Sequence, residues 1–263
     1  MPVRMVQCKS AASPSRLPGL DWALNPYRGC SHACVYCYAQ DVTRFEMNRP
    51  WGETIEVKAN FVPRLKRDLE KGVRGVYGLG TVTDPYQPVE KRHEISRGSL
   101  QLLKRVGARV SILTKSDLVL RDIDILKGWE GAEVGISISC LDGETSKILE
   151  PGAPSPDRRM QALAKLAGEG VSVYLMFAPV IPSLGDAEDD IRKVVQMTAA
   201  CSVKSIMWDK YNPKPLADSR LRNALSSTGI PPVVPHSVEE VRRIDSILRE
   251  ESGIRGIKVL DAF

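Results

Sequence analysis

Aromatic residues, histidines and long apolar runs are all scarce in this sequence. Aromatics make up 6% of the 263 residues, and there are 3 histidines. The longest uncharged apolar stretch, Val171 to Gly185, contains two prolines and is shorter than the roughly 20 residues of a membrane-spanning helix. No continuous apolar core of a secretory signal stands near the N-terminus. We therefore expect a cytoplasmic protein with no membrane partner.

Blocks of like charge are also missing. Lys+Arg 37 against Asp+Glu 32 gives a net charge of +5. The basic residues between Arg64 and Arg74 are interrupted by Asp68 and Glu70, which is typical of a solvated helix face. Recognition of nucleic acid usually relies on a one-sided basic stripe with stacking aromatics. The charge excess permits a nucleic-acid partner but does not by itself indicate one.

Short apolar runs alternate with helical patterns along most of the chain. Such alternation predicts a parallel sheet with helical crossovers, and we interpret it as an α/β fold, a partial (β/α)6 TIM-type barrel with parallel strands. Strands are predicted near residue 25 and at 75–83, 109–114, 133–139, 171–178 and 203–208. The predicted organisation is an irregular N-terminal lead-in (1–24), the barrel (25–212) and a helical C-terminal extension packed on the barrel (213–263).

Polar clusters follow several of the predicted strands. Active sites of such folds lie at the C-terminal ends of the strands, so these clusters predict where the chemistry takes place. The clusters are Thr83 to Tyr86, Thr114 to Ser116, Ser137 to Cys140, and Asp209 to Tyr211.

Three of the six cysteines lie within eight residues, with the spacing C-x3-C-x2-C. Cys30, Cys34 and Cys37 can hold three irons of a [4Fe–4S] cluster, which leaves the fourth iron open to a chelating ligand. The alternative is zinc, with His32 or a distant histidine completing the ligands, in a zinc-stabilised binding protein without catalysis. Structural zinc usually pairs two cysteines with a second distant pair of ligands, and no second cysteine pair exists in the sequence.

This motif, with Tyr36 before the third cysteine, resembles the signature of the radical S-adenosylmethionine (SAM) superfamily. The resemblance implies that the amino and carboxylate groups of SAM bind the open iron. One electron from the cluster then cleaves SAM to methionine and a 5′-deoxyadenosyl radical, which abstracts hydrogen from a substrate. It also implies an electron donor such as a flavodoxin or a ferredoxin.

Further segments between Asn25 and Asp186 resemble the spore photoproduct lyase branch of this superfamily. They read CVYCY from Cys34, VTD from Val82, LTK from Leu113, SIS from Ser137, LEPGAPSPDRRMQAL from Leu149 and FAPVIP from Phe177. In the lyase, residues at the Thr83, Lys115 and Ser137 positions bind SAM. The resemblance thus implies a cofactor-binding set of Tyr36, Thr83, Asp84, Lys115, Ser137 and Ser139.

The sequence departs from the lyase at Thr81, which stands where the lyase has the cysteine that returns a hydrogen atom. A threonine O–H bond is too strong for that role, and Cys140 is the candidate replacement, with a buried structural cysteine as the alternative. Tyr36 and Tyr38 resemble the lyase's relay partners, and Tyr86 lies on a proline-stiffened loop where it could face substrate. We expect a radical SAM enzyme whose unknown substrate enters near Tyr86, Cys140 and Asp209. The alternatives are a DNA photoproduct lyase, or another nucleic-acid repair or modification enzyme, and the zinc-binding protein.

Overall fold

The computed structural model describes residues 2–46 and 48–262. The strands are β1 (Val3–Val6), β2 (Ala12–Pro14), β3 (Trp22–Leu24), β4 (Tyr27–Arg28), β5 (Ile55–Lys58), β6 (Val76–Leu79), β7 (Arg109–Thr114), β8 (Ala132–Ile138), β9 (Val173–Val180), β10 (Ser205–Lys210) and β11 (Lys258–Asp261). The helices are α1 (Ala39–Thr43), α2 (Phe61–Glu70), α3 (Glu90–His93), α4 (Ile95–Arg105), α5 (Ile123–Leu126), α6 (Gly143–Leu149), α7 (Pro156–Gly168), α8 (Glu188–Ala200), α9 (Pro215–Leu225) and α10 (Val238–Ile254), with a 3₁₀ helix at Asp117–Asp122.

The main sheet has the strand order β11-β10-β9-β8-β7-β6-β3-β2. Every neighbouring pair from β3 to β11 is parallel, and β2 alone runs antiparallel, against β3. Strands β2 and β11 are the two edges, so within the described chain the sheet does not close on itself. The predicted α/β fold with a partial barrel of parallel strands is confirmed.

The two faces of the sheet are separated by the alternation of side chains along each strand. Val134, Ile136 and Ile138 of β8 belong to the large core that also holds the buried residues of α4, α7 and α8. On the opposite face Tyr174 crosses Gly135, where a Cβ atom would lie 2.3 Å from the tyrosine ring. Only glycine therefore fits at position 135, and the tyrosine fills the space inside the curved sheet.

Helix starts follow the sequence signals. Ser155 caps α7 by accepting from the backbone N–H of Arg158, with Pro156 in the first turn. Ser237 and Glu240 form a capping box at the start of α10. Both helices therefore begin at a serine whose side chain accepts from an otherwise unpaired backbone N–H of the first turn.

The segment 1–24 was expected to be irregular, and that prediction is wrong. β1 pairs with β5, and β2 and β3 extend the edge of the main sheet. These strands have only three or four residues each and include Pro14, so they show no alternation that a sequence pattern can reveal. Their partners lie far along the chain, and this long-range pairing determines the structure.

The segment 213–263 is helical only in part. It contains α9 and α10 as expected, but it ends in β11, which pairs in parallel with β10. The C-terminal segment therefore extends the sheet in addition to covering it. Among the described residues, no helix is both long enough and apolar enough to cross a membrane.

Candidate active site

Three cysteines line one cavity of about 140 Å³ beyond the C-terminal ends of β6, β7 and β8. This is the end of the sheet at which the sequence placed the chemistry. Of the predicted residues, the cavity is lined by Cys30, Cys34, Cys37, Tyr38, Thr83, Asp84, Lys115 and Ser137. The motif on the loop and the polar residues at three strand ends are thus brought together.

The cysteine loop is held by packing from distant parts of the chain. Ala33, inside the motif, has a positive φ of 53°. A Cβ at Gly52 would lie 2.5 Å from the Ala33 Cβ, so glycine is required for the chain to pass at this distance. Arg220 of α9 donates to the carbonyl oxygens of Val35 (3.2 Å) and Cys37 (2.5 Å). The C-terminal segment therefore helps to shape the loop.

Gln87 ties the start of the same loop to the chain after β6. Its Oε1 accepts from the backbone N–H of Ser31 at 2.9 Å, and its Nε2 donates to the Gly29 carbonyl at 3.2 Å and to Thr83 Oγ1 at 2.9 Å. Thr83 Oγ1 donates in turn to the Gly29 carbonyl at 2.6 Å. Thr83 lines the cavity, but its hydroxyl proton is donated to the Gly29 carbonyl. It can therefore only accept a hydrogen bond from a ligand, through its remaining lone pair. Sequence reasoning missed Gln87, although it stands among the polar residues of the loop that was singled out.

Asp84 fixes the geometry of the neighbouring strand end. Its carboxylate accepts from Thr114 Oγ1 (2.7 Å), Lys115 N (2.8 Å) and Tyr86 N (2.8 Å), and it lies 3.2 Å from His32 Nδ1. Burial alone would raise the pKa of Asp84, but His32 and these hydrogen bonds lower it to about 2. The carboxylate is therefore ionised and engaged by protein donors, which makes it a support for the cavity wall.

Lys115 is the cationic side chain at the end of β7. Its Nζ lies 2.8 Å from Ser137 Oγ and 3.6 Å from Glu150 Oε1. Burial would lower the pKa of Lys115, but Glu150 reverses this and raises it. The amine therefore stays protonated, so a positive charge faces the cavity beside the cysteines.

Glu150 is the centre of a buried polar cluster behind this lysine. It accepts from the Tyr36 hydroxyl, lies 3.2 Å from Ser139 Oγ and forms an ion pair of 2.5 Å with Arg159 Nη2. Burial would raise the pKa of Glu150, but Lys115 and Arg159 lower it to about 2. Tyr36 and Ser139 therefore help to position Glu150, which in turn faces Lys115 at the cavity.

Two adjacent arginines of α7 have different partners. Arg159 pairs with Glu150 in the buried cluster, whereas Arg158 forms an ion pair with Asp117 at 2.5 Å. Arg159 shares the buried face of α7 with Leu163 and Leu166, four and seven residues further on. Helical periodicity therefore predicts that Arg159, and not Arg158, lies on the buried face of the helix.

Tyr38 lies where three cavities meet. Its ring lines the cysteine cavity, the cavity beside Asp209 and a groove on the N-terminal side. It is 41% exposed, and its hydroxyl donates to the Thr81 carbonyl at 2.6 Å. Tyr38 can therefore contact a ligand in any of the three cavities.

The Asp209 cavity has a volume of about 210 Å³ and shares Lys115 and Ser137 with the cysteine cavity. Asp209 and Asn212 bound it, with Asn212 Nδ2 donating to Asp209 Oδ2 at 3.0 Å. Burial raises the pKa of Asp209. The prediction that Asp209 faces the site agrees with this placement.

Tyr86, Cys140 and Ser139 line neither the cysteine cavity nor the Asp209 cavity, which corrects three sequence expectations. Tyr86 is fully buried, and its hydroxyl lies 3.0 Å from Asp122 Oδ2. Cys140 is 4% exposed and packs in the cluster that also contains Cys34, Tyr36 and Leu149, so it lies behind the cavity wall. β8 ends at Ile138, so the alternation that turns Ser137 into the cavity does not continue through the next two residues.

The donor set fits a sulfur-ligated iron cluster. The three thiols of a cubane cluster each bind a different iron, so they need a shared cavity, whereas the ligands of a single zinc ion must converge on one point. Among the described residues no group of three Cys, His, Asp or Glu side chains converges in that way. His32 Nδ1 faces Asp84 at 3.2 Å.

Comparison with known proteins agrees with this geometry. Residues 24–196 match the family model described as the Radical SAM superfamily. The chain belongs to the radical SAM superfamily and is an enzyme of that class. Membership implies SAM and an iron–sulfur cluster as cofactors.

Several relatives share the sequence over most of its length. An uncharacterized protein of Methanocaldococcus jannaschii is 37% identical over 183 residues, which is 70% of this chain and 69% of that protein. An uncharacterized protein of Mycobacterium tuberculosis is 32% identical over 215 residues, 76% of this chain and 62% of that protein. The Radical SAM Nalpha-GlyT isomerase of Pseudomonas phage M6 is 25% identical over 177 residues, 66% of this chain and 36% of the phage protein. The matched part of this chain thus covers less than two thirds of two of these relatives.

Solved structures show the same fold. Spore photoproduct lyase complexed with dinucleoside spore photoproduct superposes with a TM-score of 0.74 and 15% identity, covering 99% of this chain and 82% of the lyase. Streptococcus suis SuiB bound to S-adenosylmethionine gives a TM-score of 0.61 and 14% identity, over 91% of this chain and 49% of SuiB. The expected likeness to the lyase branch is confirmed at the level of the fold.

Proposed function

We propose that Cys30, Cys34 and Cys37 hold a [4Fe–4S] cluster and that SAM binds beside it against Lys115 and Ser137. When bound and reduced, these cofactors supply a 5′-deoxyadenosyl radical that abstracts hydrogen from a substrate. The observation that carries the proposal is that the three thiols and the Lys115 ammonium line the same cavity. The reductant is a low-potential electron donor such as a flavodoxin or a ferredoxin.

Lys115 supplies the charge that a carboxylate of SAM requires. Its ammonium has three N–H groups, of which Ser137 Oγ at 2.8 Å accepts one, and Glu150 at 3.6 Å keeps the group protonated. Ser137 Oγ lies 3.3 Å from the Ala178 carbonyl and so is oriented from the next strand. Thr83 offers an acceptor lone pair nearby. These residues bind and orient the cofactor, while the radical chemistry belongs to the cofactors.

The Asp209 cavity is the substrate side of the proposed site. It is continuous in its lining with the cysteine cavity through Lys115, Ser137 and Tyr38. Asp209 and Asn212 provide polar groups between apolar walls that include Met176. Of the two tyrosines of the motif, Tyr38 is the better candidate to relay a hydrogen atom, because it is 41% exposed and lines both cavities, whereas Tyr36 is buried.

Repair or modification of nucleic acid is the second enzyme candidate. The observation in its favour is the overall superposition on a lyase structure that contains a dinucleoside photoproduct. The lyase's hydrogen-returning cysteine is replaced by Thr81, whose Oγ1 accepts from Asn25 Nδ2 at 2.8 Å, and Cys140 is buried and lines neither cavity. Photoproduct repair by the lyase's route therefore lacks its hydrogen donor here.

The experiment is anaerobic reconstitution with iron and sulfide, followed by SAM and a strong reductant, with 5′-deoxyadenosine quantified. The variant in which Cys30, Cys34 and Cys37 are all alanine is the control. We expect 5′-deoxyadenosine from the native protein and none above the blank from the variant. One zinc per chain, no iron–sulfur absorption and no 5′-deoxyadenosine would overturn the proposal and favour the zinc-binding protein.

A further inference from the structure

A groove of about 660 Å³ lies beside the cysteine cavity on the N-terminal side of the fold. Strands β2 to β5, helix α1 and the chain after β6 all contribute to its walls. It shares Tyr38, Thr81 and Val82 with the cysteine cavity, so a ligand in the groove reaches the edge of the proposed SAM site. None of the residues in the proposed mechanism except Tyr38 lines this N-terminal groove.

The charge of the N-terminal groove is one-sided. Arg16, Arg28 and Lys58 line it, and none of the described residues lining it is acidic. Within the described chain Arg16 is exposed and forms no ion pair. Lys58 donates to the Asn25 carbonyl at 2.7 Å, which leaves two of its N–H groups. The lining therefore carries three cationic side chains and no carboxylate, and Arg28 alone of the three pairs with a described carboxylate, that of Glu56, from outside the lining.

Arg28 is fixed in place but is not saturated. Its Nη1 lies 3.1 Å from Glu56, and its guanidinium lies 4.7 Å from the centre of the Phe45 ring. A guanidinium has five N–H groups, so donors remain for a ligand. An arginine oriented in this way is suited to two parallel hydrogen bonds with phosphate oxygens.

We propose that the N-terminal groove binds a phosphate or pyrophosphate group of the substrate, and that the reacting part of the substrate extends past Tyr38 toward the cysteine cavity. This rests on the proposed function, since it places the anionic group next to the SAM site. The volume falls within the roughly 300–1,000 Å³ of small-molecule sites. An acidic electron-donor protein would use a wider surface of about 800 Å² per partner, so the concave shape favours a small anionic group.

The test uses the reconstituted, SAM-loaded enzyme and inorganic pyrophosphate as the probe, with binding measured by calorimetry at low salt. Arg16→Gln and Arg28→Gln each remove one cation from the groove. Arg105→Gln removes the same charge from the exposed end of α4 and is the matched control. We expect each groove variant to weaken pyrophosphate binding about tenfold, the effect of losing one charge-assisted hydrogen bond, and Arg105→Gln to leave it unchanged.

Failure of this inference and failure of the proposed function are distinguishable, because 5′-deoxyadenosine is measured on the same samples. Arg16→Gln is exposed and should keep its fold and its SAM cleavage. The inference is overturned if pyrophosphate does not bind, or binds the native enzyme and Arg16→Gln equally. It is also overturned if Arg16→Gln raises the KM for a flavodoxin donor without changing pyrophosphate binding, since the groove would then serve the donor.

Discussion

Two buried ionic clusters in this protein are built from the same kinds of residue but differ in their charge balance. Each combines a buried glutamate with a tyrosine hydroxyl that donates to it and an arginine that pairs with it. The Glu150 cluster contains Glu150, Tyr36, Ser139, Lys115 and Arg159, and the Glu90 cluster contains Glu90, Tyr27, Tyr86, Arg97, Arg121 and Asp122.

The Glu90 cluster is balanced. Arg121 lies 2.8 Å from both Glu90 and Asp122, and Arg97 lies 2.8 Å from Asp122. Two buried carboxylates meet two guanidiniums, and the exposed Asp124 and Glu94 add negative charge at the rim, so the cluster has no surplus positive charge. The tyrosines are neutral because burial and the neighbouring carboxylates raise their pKa. Such a cluster joins β4, α3 and the 3₁₀ helix without offering a charge to a ligand.

The Glu150 cluster has a surplus positive charge. Its single carboxylate faces two cations, at 2.5 Å for Arg159 and 3.6 Å for Lys115. Arg159 is buried, whereas Lys115 lines the cavity, so the surplus is directed at the proposed SAM site. The two clusters share their residue types, so it is their charge balance that distinguishes the cluster beside the proposed SAM site.

The largest loss of activity should come from removing Cys34, the proposed iron ligand beside the Glu150 cluster. Cys34→Ala leaves one iron without its thiolate, so the iron–sulfur absorption and 5′-deoxyadenosine formation should fall to the blank. Cys201→Ala changes a half-buried thiol elsewhere and should leave both intact. Anaerobic absorption spectra and product quantification check this, and an unchanged spectrum in Cys34→Ala would remove it from the ligand set.

Glu150→Gln and Asp122→Asn test the comparison directly. Glu150→Gln removes the carboxylate that Lys115 and Arg159 share, so it should lower the free energy of unfolding by about 3 kcal/mol. Asp122→Asn should cost less, about 1 kcal/mol, because Arg97 keeps Asp124 and Arg121 keeps Glu90. Only Glu150→Gln should weaken SAM binding, about tenfold, since it removes the largest influence that opposes burial and raises the pKa of Lys115. Its SAM affinity should also fall as pH rises, because Lys115 loses its proton earlier.

Equilibrium dialysis with SAM and urea unfolding provide these two quantities. Asp122→Asn serves as the control for a general loss of stability. Equal SAM affinities in the two variants would show that the Glu150 cluster is merely structural.

Acid should act on stability through Glu150. Its pKa in the folded protein is about 2 against a usual 4.5, so its contribution is complete above pH 4.5 and is lost as pH falls toward 2. Between pH 6 and pH 3 this carboxylate should account for about 2 kcal/mol of lost stability. Urea unfolding of the protein before reconstitution should show a shallower acid dependence in Glu150→Gln, and identical pH profiles would contradict the assignment.

The smallest change in the free energy of unfolding should come from replacing Arg158. Arg158 pairs with Asp117 at the surface, with its side chain 61% exposed, so Arg158→Ala should change the free energy of unfolding by about 0.5 kcal/mol or less. Arg159→Ala should cost about 3 kcal/mol because it leaves Glu150 buried without its closest cation. Thermal unfolding of the two variants measures the contrast, and similar melting temperatures would mean that the Glu150–Arg159 pair is not formed.

Much of the site was predictable because its signals are local. The spacing of Cys30, Cys34 and Cys37 needs only a short loop, and Lys115 and Ser137 stand at the ends of long, strongly patterned strands. The fold class followed from the same alternation of strands and helices.

The features that the sequence did not predict depend on contacts between segments far apart in the chain, or on where a strand ends. Tyr86 turns into the Glu90 cluster because Asp122, 36 residues further along the chain, accepts from it. The short strands of the N-terminal segment are defined by partners such as β5 and β6. Cys140 lies just past the end of β8, where strand alternation no longer applies.

The measurement that tests the central claim most directly is electron paramagnetic resonance of the reduced, reconstituted protein with and without SAM. If three cysteines leave one iron open, SAM should change the spectrum of the native protein. Lys115→Met should require more SAM for the same change, because the cation facing the carboxylate is gone. A spectrum that SAM does not alter in the native protein would contradict the assignment of an open iron beside Lys115.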